Sequence, residues 1–91
     1  MIYEWDPAKA KFNLSNHGVS FEESSTIFGD PLSLTIHDAQ HSQTEDRFVT
    51  VGLSAQLNLL VVVFADRGAK IRIISARHAT KQERKEYEEG L

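Results

Sequence analysis

The stretch Asn58–Ala76, NLLVVVFADRGAKIRIISA, decides the fold. Asn58–Ala65 is almost entirely apolar, which predicts a strand in the middle of a sheet. Asp66–Gly68 is typical of a hairpin turn, and Lys70–Ala76 alternates apolar and polar residues as a returning strand does. This alternation places Arg72 on the face opposite to the isoleucines on either side of it. We therefore expect an antiparallel hairpin at the centre of a sheet.

Three further strands are expected before this hairpin. Leu32–Ile36 alternates apolar and hydroxyl side chains, as a half-buried strand does, and Arg47–Leu53 is a second sheet strand. The segment His37–Thr44 between them is polar and predicts an exposed loop. Met1–Trp5 alternates loosely and predicts a short first strand.

The first helix is marked by its two ends. Asp6–Pro7 supplies an aspartate cap and a proline at the first helical position, so a helix begins there. It runs to about Asn16, places Ala8 and Phe12 on one face, and ends at Gly18.

Two capping boxes predict the remaining helices. Ser20 with Glu23 opens a second helix, which buries residues spaced four and three apart, namely Phe21, Ser25 and Phe28. Thr80 with Glu83 caps a last helix, from Lys81 to about Glu89.

The elements follow the order β-α-α-β-β-β-β-α. This order predicts a single α+β domain over residues 1–91, with helices packed on an antiparallel sheet. The 41% hydrophobic and 25% charged residues are typical of a folded globular protein, and the absence of cysteine excludes disulfides and thiolate metal sites. No segment suits a membrane span or a signal peptide, so we expect a cytoplasmic protein.

Charge is divided unevenly along the chain. Residues 1–46 hold eight acids and two bases, whereas residues 47–91 hold eight bases and five acids. Seven of the ten bases fall between Arg67 and Lys85, where Glu83 is the only acid. Such a division indicates a surface that faces a polyanion, although a solvated helix face and a charge-protected strand edge would give the same pattern.

Few residues are suited to catalysis. His17 lies in the last turn of a helix, where it either contacts the helix carbonyls or transfers protons near neutral pH. Arg72 and Arg77 have the guanidinium geometry that clamps a phosphate, and Lys9 and Arg47 are cations that could reach the same region. His37 and His41 have i, i+4 spacing but lie in a predicted loop, so we expect no metal site and no cofactor.

The ordered motifs of the chain resemble the BrnT family of type II toxin–antitoxin toxins, and the resemblance extends over essentially the whole chain. The motifs are Tyr3–Lys9, Asn13, His17–Glu23, Gly29–Pro31, Glu45 with Arg47, Gly52, Ile71–Arg77 and Glu83–Tyr87. Two positions depart from the family pattern, because Asn16 and His78 stand where the family often has a base. Fewer positive charges imply a weaker and more salt-sensitive capture of RNA.

The resemblance implies a RelE-like fold and an endoribonuclease that inhibits translation. It also implies a partner, a BrnA-type ribbon-helix-helix antitoxin, in a heterotetramer of two toxins and two antitoxins that contacts operator DNA through the antitoxin. The family pattern singles out Lys9, His17, Glu45, Arg47, Arg72 and Arg77, with Ser75 and Tyr87 in supporting positions. We expect Arg72, Arg77, His17 and Glu45 to be catalytic and Lys9, Arg47 and Lys70 to bind RNA.

The mechanism expected from these residues is metal-independent. The ribose 2′-hydroxyl attacks the neighbouring phosphorus, Arg72 and Arg77 stabilise the developing charge, and His17 or Glu45 transfers protons. Two other classes remain open from the sequence, an RNA-binding module without catalysis and a protein-interaction domain.

Overall fold

The central hairpin organises the sheet. The computed structural model describes residues 1–90 and contains the strands β1 (Ile2–Glu4), β2 (Leu34–His37), β3 (Arg47–Leu53), β4 (Leu59–Arg67) and β5 (Lys70–His78). The helices are α1 (Pro7–His17), α2 (Phe21–Ser25) and α3 (Lys81–Glu89), with short 3₁₀ turns at Thr26–Gly29 and Ala39–His41. This is the α+β element order expected from the sequence. Several expected bounds move. β2 is Leu34–His37, so His37 belongs to a strand and not to the predicted loop. β4 is Leu59–Arg67, β5 extends to His78, and β1 is shorter at both ends than expected.

The sheet is mixed rather than antiparallel. Its strand order is β1-β5-β4-β3-β2, and the pairs β2–β3, β3–β4 and β4–β5 are antiparallel as expected. β1 differs, because it runs parallel to β5 and pairs only with Lys70–Arg72. The rest of β5 therefore has a free edge beyond the end of β1.

The core lies between one face of the sheet and the first two helices. Its buried cluster consists of Val19, Phe21, Ile27, Leu60, Val62, Ile73 and Ala76. α1 turns Asn13 toward this core, whereas the face that carries Ala8 and Phe12 points outward, with Phe12 55% exposed.

The second helix differs from its prediction in two ways. Ser24 is fully buried, whereas Ser25 and Phe28 are only half-buried, because α2 ends after five residues and continues as a 3₁₀ turn with a tighter period. The Ser20 hydroxyl accepts from the Glu23 amide, but the Glu23 carboxylate accepts from Ser54 and Asn58 instead of completing a capping box. The box at Thr80 and Glu83 is complete, as expected.

A β-bulge halfway along β5 changes which of its side chains face the core. Val63 pairs with Ser75 and Phe64 pairs with Ile73, so Ile74 is an extra residue without a partner on β4. Ile73 and Ala76 consequently both face the core. Arg72 and Arg77, five residues apart, both lie on the opposite face of the sheet.

A buried asparagine joins α1 to the free edge of β5. The Asn13 amide nitrogen donates to the carbonyls of Val19 and Ala76, both at 2.9 Å, and its oxygen accepts from the Ala76 amide at 3.0 Å. The side chain thus satisfies both backbone groups of Ala76, as a neighbouring strand would. This contact sets the distance between α1 and β5.

We expect Asn13→Ala to lower the free energy of unfolding by about 3 kcal/mol, because it leaves buried backbone groups of Val19 and Ala76 without partners. Urea unfolding followed by circular dichroism measures the change. Asn16→Ala, on the exposed side of the same helix, is the matched control and should change stability by less than about 0.5 kcal/mol. Equal stabilities of the two variants would contradict the role assigned to Asn13.

Candidate functional site

A cleft lies between α1 and the free edge of β5. It has a volume of about 230 Å³ and is lined by Lys9, Phe12, Asn13, Asn16, His17, Ile74 and Ser75. Successive α1 residues in this set are separated by three, one, three and one positions, so they form one helical stripe. The β5 residues are the bulged Ile74 and its neighbour. The cleft therefore exists because Asn13 holds the helix against the bulge.

Four of the five polar side chains that line the cleft, all except Asn13, are not engaged by the protein. Within residues 1–90, the side chains of Lys9, Asn16, His17 and Ser75 make no hydrogen bond or ion pair with the rest of the chain. An ammonium, an amide, an imidazole and a hydroxyl thus lie around one concavity with their hydrogen-bonding capacity unused. This is the arrangement expected of a binding site.

A second group of predicted residues forms a charged cluster on the sheet face opposite to the core. It consists of Glu4, Glu45, Arg47, Arg67, Lys70 and Arg72. Glu4 lies 3.4 Å from both Arg67 and Arg72 and 3.8 Å from Lys70, measured between carboxylate oxygens and side-chain nitrogens. Four cations share two carboxylates, so the cluster has an excess of two positive charges.

Glu45 is engaged in this cluster. Its carboxylate accepts from Arg67 Nε at 3.0 Å and lies 3.8 Å from Arg47 Nη2. These contacts favour a carboxylate that positions arginines over one that transfers protons. Arg47 keeps its Nε buried and without a hydrogen-bond partner among the described residues, so this guanidinium has donor capacity that the protein does not use.

Arg77 does not join either group. Its guanidinium donates two hydrogen bonds to Glu83, at 2.8 and 2.9 Å. This pairing lowers the pKa of Glu83 to about 2, and it raises the pKa of Arg77 above its ordinary value. The Arg77 guanidinium, which was expected to clamp a phosphate, instead attaches the end of β5 to α3.

Tyr87 also holds α3 in place. Its hydroxyl donates to Asp30 Oδ2 at 2.6 Å, which raises the pKa of Tyr87 to about 12. Burial acts to raise the pKa of Asp30, but hydrogen bonds from Tyr87 and from the Leu53 and Leu32 amides outweigh it and lower that pKa. α3 has no buried residue, so these polar contacts are what fix it on the sheet.

The predicted site residues therefore fall into three places. Lys9, His17 and Ser75 meet in the cleft, Glu45, Arg47, Lys70 and Arg72 lie in the charged cluster, and Arg77 and Tyr87 anchor α3. Phe12 is a cleft residue that the sequence did not indicate as functional, and Glu4 and Arg67 are missed members of the charged cluster. The i, i+3 spacing of Lys9 and Phe12 on an amphipathic helix was the available signal for the first of these.

The two loop histidines form separate surface pairs. His37 lies 3.3 Å from Asp46, and His41 lies 2.9 Å from Asp38. Among residues 1–90, no group of three His, Asp or Glu side chains is placed to hold a metal ion. Within the same range, no helix has the length and apolar character needed to cross a bilayer.

Comparison with known proteins identifies the family. The family model described as the ribonuclease toxin BrnT of type II toxin–antitoxin systems matches residues 5–83. The chain belongs to the BrnT family. The crystal structure of the Brucella abortus ribonuclease toxin BrnT, at 1.1 Å resolution, superposes on this BrnT-family chain with a TM-score of 0.67 and 20% sequence identity. The match covers 89% of this chain and all of that one, so the two share a fold. No curated protein matches the sequence.

For this BrnT-family chain, we expect Glu83→Gln to lower stability at neutral pH by about 0.5 to 1 kcal/mol through loss of the partly exposed Arg77 pair. Because the pKa of Glu83 falls from 4.5 to about 2 on folding, the stabilisation is present above pH 4.5 and disappears as the pH falls to about 2.

Urea unfolding of the wild type and of Glu83→Gln between pH 2 and 7 measures this dependence. The difference between their free energies of unfolding should be constant above about pH 5 and shrink toward zero near pH 2. Glu88→Gln, on an exposed position of the same helix, should show no such trend. A difference that does not change with pH would exclude the carboxylate pair as its source.

Proposed function

We propose that this chain is a metal-independent endoribonuclease and that the α1–β5 cleft holds its reaction centre. The observation that supports the proposal is the convergence of the unengaged Lys9, His17 and Ser75 on one concavity in a chain of a ribonuclease toxin family. In the proposed reaction, the ribose 2′-oxygen forms a bond to the neighbouring phosphorus and the bond from phosphorus to the 5′-oxygen breaks. The products are a 2′,3′-cyclic phosphate and a 5′-hydroxyl.

The cleft residues have complementary roles in this proposal. An imidazole can accept and return protons near neutral pH, so His17 takes the 2′-hydroxyl proton or delivers a proton to the leaving 5′-oxygen. The Lys9 ammonium is a point charge that stabilises the additional negative charge on the phosphate in the transition state. Ser75 supplies a hydroxyl for positioning the phosphate.

The charged cluster binds the RNA backbone in this proposal. Arg72 lies on the same strand as Ser75, roughly 10 Å away or less, so a short oligonucleotide along β5 would contact both places. Arg47, Lys70 and Arg72 neutralise phosphates there, and the excess of two positive charges provides the attraction. Glu45 positions Arg47 and Arg67, and Arg77, held by Glu83, contributes by keeping α3 on the sheet.

We expect His17→Ala to slow the cleavage of a mixed-sequence RNA oligonucleotide at least about 100-fold, the usual contribution of a general acid or base. Lys9→Ala should slow it by a factor of at least ten, because it removes charge stabilisation at the phosphate. Gel-resolved single-turnover rates measure both effects. Lys11→Ala removes an exposed lysine from the same helix outside the cleft and should cleave at the wild-type rate.

The products and the metal requirement test the chemistry separately. Cleavage should continue in EDTA, and the fragments should carry a cyclic phosphate and a 5′-hydroxyl. Activity that disappears in EDTA and returns only with magnesium would contradict the metal-independent mechanism. Wild-type rates for both cleft variants would place the reaction elsewhere, and RNA retained intact by the wild type would favour a non-catalytic binding module.

We further propose that the free chain inhibits translation and that its antitoxin is of the BrnA type. A type II toxin–antitoxin family implies an antitoxin partner. A ribbon-helix-helix antitoxin acts as a dimer, so each dimer would hold two toxins in a heterotetramer and would alone contact operator DNA.

Co-expression with the small protein encoded beside the gene tests this partner. The chain alone should arrest growth and depress protein synthesis, and co-expression should restore both. Light scattering of the purified complex should give the mass of two copies of each protein. A toxin that remains lethal beside its partner, or a complex with one copy of each chain, would contradict this assignment.

A further inference from the structure

Phe12 is the unusual residue of the cleft. It is 55% exposed although it belongs to a folded helix whose inner side is formed by Ala10 and Asn13. A single exposed aromatic residue is ordinary on a protein surface. What distinguishes Phe12 is its position, because it lines the cleft between Lys9 and Asn16, one helical turn before it and one after it.

The chemistry around Phe12 matches a nucleobase. An exposed ring offers a face for base stacking, which is the principal way that proteins hold unpaired bases. Lys9 supplies a cation for the phosphate attached to that base. The Asn16 amide has a donor and an acceptor side by side, and it makes no hydrogen bond within residues 1–90.

The volume of the cleft suits a single base better than a larger ligand. Its volume of about 230 Å³ is below the roughly 300 to 1,000 Å³ of sites for drug-sized molecules. The walls combine an aromatic ring, an aliphatic Ile74 and polar groups, which suits a flat heteroaromatic ring with a polar edge.

We propose that the α1–β5 cleft binds one unpaired nucleobase of the RNA, stacked on Phe12 and recognised by Asn16, with a preference for adenine. An asparagine amide pairs with two hydrogen bonds to the N6 amino group and N7 of adenine, and we assign Asn16 to this edge of the base, where uracil presents only the O4 acceptor. The inference rests on the proposed ribonuclease function and adds a specificity subsite to it. Phe12 and Asn16 are binding residues here, and the proton transfers stay with the residues named above.

Fluorescence anisotropy with non-cleavable probes tests the subsite without relying on catalysis. The probes are 5′-fluorescein-labelled 2′-O-methyl octamers of adenine and of uracil, measured at one fixed salt concentration. The wild type should bind the adenine octamer more tightly. Phe12→Ala should weaken that binding about tenfold, within the range for one lost stacked base, and Phe12→Trp should retain it. Asn16→Ala should remove the preference for adenine while uracil binding stays unchanged.

Leu14→Ala is the matched control. Leu14 is 53% exposed on the same helix but does not line the cleft, so its loss should leave both affinities unchanged. Equal binding by Phe12→Ala and Leu14→Ala would overturn the stacking role, and equal wild-type affinity for the two octamers would overturn the preference for adenine. Phe12→Ala that keeps RNA binding but loses the antitoxin would show a protein contact and would also overturn the proposal.

The outcome is separable from that of the ribonuclease proposal. If the wild type binds the octamers in a Phe12-dependent way but cuts no RNA, the subsite stands and the enzyme assignment fails. If the wild type cuts RNA and Phe12→Ala behaves like the Leu14 control in both binding and cleavage, the enzyme assignment stands and the subsite fails.

Discussion

The contact on which the rest of the structure depends is the amide of Asn13. The strand β1 covers only three residues of β5, so the backbone of Ala76 would otherwise lack partners inside the protein. Asn13 supplies them and thereby replaces a strand by a side chain. Because a helix rather than a strand then flanks β5, a concave space remains beside the bulge at Ile74. A sixth strand in that place would have closed the cleft.

Ion pairing, more than the number of basic residues, decides which cations of this chain are free to bind an anion. Arg77 adds to the positive charge of residues 47–91, but two of its guanidinium nitrogens donate hydrogen bonds to Glu83. Lys9 belongs to the acidic half, yet it makes no ion pair among the described residues. The division of charge along the chain predicts a polyanion-facing surface, whereas the packing of α1 decides which residues line the cleft.

Local signals made most of the fold predictable. The caps at Asp6 and Thr80 and the turn at Gly68 act over a few residues, and their elements lie where the sequence places them. The partner of β1 lies more than sixty residues away, and no local pattern encodes its parallel direction. The sequence proposed candidate site residues but missed Phe12, Glu4 and Arg67, and it could not sort the candidates between cleft, cluster and α3, because that sorting depends on long-range packing.

The bulge at Ile74 has a consequence for how β5 can vary. Alternate side chains of a strand normally face the same side of the sheet. In β5, however, the side chains that face the core change from odd-numbered residues, Ile71 and Ile73, to the even-numbered Ala76. The two halves of β5 thus alternate in opposite phase, and the bulged Ile74 lies between them. Regular alternation through the same residues, without the bulge, would instead put Ser75 and Arg77 on the core side and Ala76 on the outer side. The extra residue at Ile74 therefore keeps the Arg77 guanidinium out of the core.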